Sequence, residues 1–515
     1  MLAVSVRTKL ALVLAFGIVS PAFANDPLSA IEWLEKRPKQ IVVPLVPNDT
    51  PIFSEPAVAS SVKTPEITTT PLGAPVRAAA GLLPSAVTGL PRALWLGSDA
   101  DTLDTLITAL NVEDQPALQS LFYTLLLAEA DPPEDAKAAN FMRARVTKLL
   151  HLGALDPASA LLERSDPAHI DLFDLYFDTS LLAGDSEAPC KALRAQPTLS
   201  RDLESRVFCD AQAQAWDSAA LTLSTADAIG AIAPVDVTLL ERFLDPELFS
   251  DVPAIPDRPT VLQFRLFQAI GEALPTRSLP RAFAATDLSG NTGWKAQLDA
   301  AERLARVGAI SENRLLGIYT SRIPSASGGI WDRAESIQRL ETALTAGDPV
   351  DVFKQLRRAW TKMQENHLEV PFATLFSESL MRLPSTGKDA DLVTRIVLLS
   401  PKYEQAAQRT TLDPTLNVAQ SIAIGEPKGH NDVALSDTLK SAFLGKGVPQ
   451  FLTDMSKDLQ LGEAILRAMA LTQTGVHGDP NALQSGLAFL RSIGLEDTAR
   501  RTALQLLLIN TDDQG

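Results

Sequence analysis

The sequence predicts an all-α protein, an α-solenoid of stacked helical hairpins carried behind a Pro-rich N-terminal linker. Three observations predict it. Strand signals are nearly absent, with no alternating Val/Thr/Tyr runs and no Asn-Gly hairpin turns. Asp-Pro recurs at Asp131, Asp156, Asp166, Asp245, Asp348, Asp413 and Asp479. Asp satisfies the free N–H groups of a helix start and Pro suits the first helical position, so the pair punctuates helices. Finally, the segments "LHLGALDPASALL", "SLLAGDSEAPCKAL" and "QAQAWDSAALTL" align on Asp156, Asp185 and Asp217, with echoes at Asp348 and Asp479. Each has an apolar helix end, a turn, an Asp and a second helix. A repeat of about 30–40 residues built from two helices marks a solenoid.

The chain opens MLAVSVRTKLALVLAFGIVSPAFANDP. Arg7 and Lys9 form a basic start, Leu10 to Val19 an apolar run, and Ala22-Phe23-Ala24 a small-residue cleavage site. Residues 1–24 therefore read as a secretory signal peptide, too short in its apolar run to span a membrane. No later run reaches about 18 uncharged apolar residues. The expectation is an exported, periplasmic product with no transmembrane segment.

Residues 25–37, NDPLSAIEWLEKR, place Leu28, Ile31 and Leu34 at helical spacing with Trp33 beside them. This short amphipathic segment is a candidate partner-binding peptide, or else a cap on its own body, or a segment that is simply unordered. Residues 38–90 are rich in Pro, Val, Thr and Ser, and so many prolines exclude helices. They read as an extended, partly disordered linker. Helical blocks are expected over 91–250, 260–410 and 436–510, separated by "LFSDVPAIPDRPT" and by the loop-rich stretch around 409–435.

Within the first block, Leu199, Leu203, Val207 and Ala211 fall on one stripe while Phe208 and Cys209 point away from it. A helix apolar on two sides is sandwiched between two others. The segment 145–230 resembles the tetratricopeptide-like superfamily of helical repeats. The repeat length drifts and the family's Trp-Leu-Gly-Tyr set is missing, so the resemblance implies a fold and brings no functional residues.

Composition narrows the function classes. The formal charge of −16 repels phosphate backbones and anionic lipid, which disfavours nucleic acid and membrane surfaces as partners. The five histidines, His151, His169, His367, His430 and His477, have no metal-ligand spacing. No G-x-S-x-G elbow or phosphate-binding loop occurs. No cofactor is expected. Helical superhelices also occur in periplasmic lytic transglycosylases, to which the body is similar in outline. Those enzymes use a Glu in a Glu-Ser setting, whereas Glu378-Ser379 here lies on an ordinary amphipathic pattern and reads as a solvated helix face.

The cysteines Cys190 and Cys209 are the only two in the chain. Two cysteines without nearby histidine cannot complete a zinc site, and an oxidising compartment preserves disulfides. They fall in adjacent helices, about four residues or roughly 6 Å out of step along the axis. A disulfide needs Cα atoms within about 7 Å. A bridge is expected, the alternative being two buried thiols.

One loop, "YTSRIPSASGGIWDRAESIQRL", offers Arg322, Ser325, Ser327, Gly328, Gly329 and Trp331 at a helix N-terminus. Such N–H groups, hydroxyls and a guanidinium can bind an anion, or the serines can simply cap the next helix. A second loop, "AATDLSGNTGWKAQL", places Trp294 after Gly293. A shared concavity would favour a site. The expected function is a non-catalytic scaffold or adaptor for cell-envelope proteins, of the kind used in envelope or motility assembly. The alternatives are an enzyme acting on an envelope polymer such as peptidoglycan, and a periplasmic ligand-binding or chaperone protein.

Overall fold

A computed structural model describes residues 79–509, apart from 135–137, 248–252, 412, 429–431 and 434. All of these belong to one unit running from Pro71 to Gly515. Among the described residues the secondary structure is helical, and the sole β feature is an isolated bridge between Leu83 and Ala128.

The aspartates sit where the punctuation reading places them. Asp348, Asp413 and Asp479 are N-caps whose carboxylates accept backbone N–H bonds, each followed by Pro at the first helical position. Asp156 and Asp217 lie in the first turns of Leu155–Arg164 and Trp216–Ala228, and the Asp185 carboxylate accepts from the Glu187 N–H at the start of Glu187–Ala195. Not every Asp-Pro opens a helix. Asp245 instead ends Pro234–Leu244 as its C-cap.

Successive helices pack as antiparallel neighbours. The extensive pairs are Leu461–Val476 with Pro480–Ser492, Ile330–Ala346 with Pro349–Gln364, and Leu203–Gln212 with Trp216–Ala228. Gly475 and Gly486 let the first pair approach closely, since a Cβ at either position would stand 2.4 or 2.2 Å from the facing helix. The helix Leu203–Gln212 buries Val207, Phe208, Cys209 and Ala211 and packs on neighbours at either side, as its two-sided pattern predicts.

Two features depart from the sequence reading. Residues 79–90 belong with the body and not with the linker assigned to 38–90. Leu82 and Leu83 donate backbone hydrogen bonds to Leu127. The buried Arg145 clamps the segment, donating to the carbonyls of Ala80, Leu126 and Ala128. Burial pushes that guanidinium down to about 10. The hydrophobic interior also ignores the three expected blocks. One core joins residues 80–172 to residues 294–509, and a second spans 155–283.

The first core exists because the two ends of the helical array meet. Pro116–Leu127 packs on Glu496–Leu508, and Ala100–Ala109 on Leu461–Val476. Gly462 N–H donates to the Leu94 carbonyl at 2.8 Å, and the Trp95 ring sits directly against Gly462. The Gln505 side chain accepts from the Ala117 N–H across the same seam.

The second core holds the disulfide. Cys190, in Glu187–Ala195, and Cys209, in Leu203–Gln212, are bonded with their Cα atoms 4.9 Å apart. The short turn Pro197–Leu199 joins the two helices, which pack directly on one another. The link closes a loop of 19 residues, for which chain entropy gives about 3 kcal/mol of stabilisation. The double variant Cys190→Ser/Cys209→Ser is expected to lose about that amount in urea denaturation. An unchanged midpoint would remove the bridge from the stabilising features of this lobe.

Candidate functional site

The structure disperses the residues singled out in the loop 321–329. Ser325, Ser327, Gly328 and Gly329 are exposed, and no side chain caps the helix Ile330–Ala346. The Gly328 N–H instead donates to the Asp332 carboxylate at 2.8 Å. The chain's own acid thus stands where an anion would bind. The Arg322 carbonyl accepts from the Gln338 side chain.

The two Ser-Gly loops touch through their tryptophans. The Trp294 and Trp331 rings lie 5.3 Å apart, and the Trp294 indole donates to the Ile318 carbonyl. Their polar residues face different hollows. Ser327 lines an open groove of about 540 Å³ beside Asp332 and Glu335, whereas Ser289, Asn291 and Thr292 line a cavity of about 570 Å³ with Arg265 and Asp287. Leu28, Ile31, Trp33 and Leu34 lie outside the described residues.

A larger cavity, about 830 Å³, was not singled out by the sequence. Its wall brings together the turn before Pro116–Leu127, the short turn Thr276–Ser278, the helices Arg281–Asp287 and Trp294–Ala305, and the turn between Pro349–Gln364 and Glu369–Met381. Charged groups dominate the lining. Arg281 reaches Glu113 with two hydrogen bonds, 2.9 and 2.7 Å. That contact holds the Glu113 carboxyl below its ordinary range against the opposing effect of burial.

Glu302 is the deepest charge in the wall. It is 1% exposed, takes two bonds of 2.8 and 2.7 Å from Arg333, and accepts the Tyr319 hydroxyl at 2.8 Å. Burial, followed by the charge of Glu302, raises the Tyr319 phenol well above its ordinary value, so it remains a donor. Glu302 is a buried carboxylate paired with Arg333, which lies two residues along the chain from Trp331, and a buried carboxylate is the feature an envelope-polymer hydrolase would need. Both of its oxygens are engaged within the protein, however, which leaves no free oxygen to protonate a leaving group. Glu378 lies on the exposed face of Glu369–Met381 and pairs with Arg382.

The histidines are scattered. His477 caps the end of Leu461–Val476 against the Gln473 carbonyl, His151 ends Ala138–His151 near Glu113, and His169 accepts from the Asp171 N–H. His367 stands at the cavity mouth with a left-handed backbone, φ 53°. His430 lies outside the described residues. Among the described residues no group of three or more His, Cys, Asp or Glu could hold a metal ion, and no helix is long and apolar enough to cross a membrane.

A third feature is an acidic hollow at the start of the helix that carries Cys209, lined by Asp174, Asp178, Asp202, Glu204 and Asp236. Burial, reinforced by Asp174 and Asp202, pushes Asp178 up to about 7. Burial and a hydrogen bond with Asp202 push Glu204 up to about 8. The folded state therefore binds more protons than the unfolded chain above pH ~4, the ordinary carboxyl value. The stability these groups contribute is full below that pH and is lost as pH rises through 7 and 8. Thermal melts are expected to show a transition falling between pH 5 and pH 8.5, and Asp178→Asn should flatten that fall. A profile identical in the variant would rule out this origin.

No family model, curated protein or solved structure matches this chain. The lining of the large cavity escaped the sequence reading because Glu302, Arg303 and Arg306 look like an ordinary charged helix face. Their one available signal is i, i+3 spacing of two arginines at a helix end. Nothing local marks the partners that the fold brings to them.

Proposed function

We propose that this protein is an exported, periplasmic helical-repeat scaffold or adaptor that binds other proteins of the cell envelope. The observation that carries the reading is the helix Trp216–Ala228. It packs on Leu203–Gln212 and Pro234–Leu244 and leaves its outer side uncovered. Trp216 is 51% exposed, Leu221 67%, and Ile229 just past its end 71%. Exposed apolar side chains gathered on one element mark interaction surfaces, and Trp is favoured at the centre of such contacts. The signal-like N-terminus and the Cys190–Cys209 bridge support an oxidising compartment. The linker-borne residues Leu28, Ile31, Trp33 and Leu34 would engage a second protein or latch the first.

The test is site-specific photocrosslinking in intact cells from Leu221 and from Trp33, together with cell fractionation. A discrete envelope-protein adduct at Leu221, lost in Trp216→Asp, is the expected result. Cytoplasmic fractionation, or no discrete adduct at either position, would overturn the reading.

A further inference from the structure

We infer that the 830 Å³ cavity holds a binding site for a small oxyanion, a carboxylate or phosphate group, formed by Arg277, Arg303 and Arg306. Five arginines face this one cavity in a chain whose formal charge is −16. Two of them, Arg281 and Arg333, are matched by Glu113 and Glu302 at 2.7 Å. Half-buried guanidinium groups are normally matched in this way, because an uncompensated charge is costly to remove from water.

The other three form no direct ion pair with a carboxylate among the described residues. Arg303 donates only to the carbonyls of Thr276 and Leu279, and Arg306 only to the carbonyl of Asn366. Arg277 is exposed at the rim. Arg303 and Arg306 stand at the C-terminal end of Trp294–Ala305, where the helix dipole offsets part of one charge and not of two. Burial lowers the Arg303 guanidinium, and repulsion from Arg281 and Arg306 lowers it further against the smaller opposing effect of Glu113, so the positive charges are close enough to oppose one another.

Asp114, Asp299 and Glu369 also line the cavity. The site is therefore a local cluster of guanidinium groups in a mixed wall, and it selects a compact anion over a polyanion. The planar fork of arginine matches the geometry of a carboxylate or phosphate, which a spherical chloride cannot reproduce. The volume suits a metabolite-sized ligand.

Calorimetric titration of the intact protein with inorganic phosphate, and separately with succinate, tests this at an ionic strength fixed with chloride. Saturable binding of one or both is expected, and the preferred anion distinguishes a phosphate from a dicarboxylate ligand. Arg277→Ala/Arg306→Lys should weaken binding at least tenfold, while Arg322→Ala, in the outer loop, should leave it unchanged. Should the double variant melt early, Arg277→Ala alone removes no internal hydrogen bond and should still weaken binding at least threefold. Absence of saturable heat with both anions, or equal affinity in these variants, overturns the proposal.

Discussion

Replacing Trp95 by Ala is expected to lower the unfolding free energy by about 3–5 kcal/mol, the range for emptying a large aromatic site in a packed core. Trp95 is 1% exposed and packs on Phe141 with the rings tilted by 60° and their centroids 5.4 Å apart. Its indole sits against Gly462, where a Cβ would stand 2.3 Å from the ring. The surrounding bonds depend on that contact: Gly97 N–H to the Leu459 carbonyl, Gln460 to the Gly97 carbonyl, and Gly462 N–H to the Leu94 carbonyl. Gly462→Ala should be destabilising from the opposite side, because its methyl and the indole compete for one space. Urea denaturation and limited proteolysis measure both. Cleavage near residues 90–100 should appear early in each variant. If Trp95→Ala unfolds at the parental midpoint, the meeting of the two chain ends contributes little to stability.

The second large effect concerns Glu302. Glu302→Ala leaves Arg333 buried without its counter-charge and the Tyr319 hydroxyl without its acceptor, a loss of about 3–5 kcal/mol for breaking a buried pair. Glu302→Leu/Arg333→Met removes both charges and should recover most of that loss, because well-packed apolar groups replace buried pairs at little cost. Tyr319→Phe should lose about 1.5–3 kcal/mol, the scale of one hydrogen bond to a charged acceptor. A double-mutant cycle in urea separates these contributions. A loss in the double variant equal to the sum of the losses in Glu302→Leu and Arg333→Met would show that the pair is not coupled.

The parts of this architecture that were legible in the sequence are those set by local chemistry. Asp348, Asp413 and Asp479 announce helix starts because capping needs only the residue and its next three N–H groups. The two-sided apolar pattern around Val207 and Phe208 announces a sandwiched helix. The cysteine bridge was legible because only one turn separates its helices. The convergence of Glu113, Arg281, Arg303, Arg306 and Asn366 on one cavity was not legible, since it follows from how distant hairpins stack. Arg145 was equally silent. A single arginine in "FMRARVTKLL" looks solvated until residues 79–83 fold over it. Asp332 shows the reverse case, a local acid occupying the N–H that made the loop 321–329 attractive as an anion site.

The seam between the ends has a consequence for the timing of folding. Its hydrogen bonds join groups 363 and 388 residues apart in sequence, in a protein whose other contacts run mostly between neighbouring hairpins. Local pairings form fast, while those that close a very long loop wait for the intervening chain to order. A chain emerging from its N-terminus therefore carries Trp95 and Leu94 without their final partners until Gly462 and the helix Glu496–Leu508 arrive. Throughout that interval the first hairpins are a half-finished surface. The last helix completes the first core, and the rate of that late step sets how long the nascent protein stays exposed to aggregation and proteolysis.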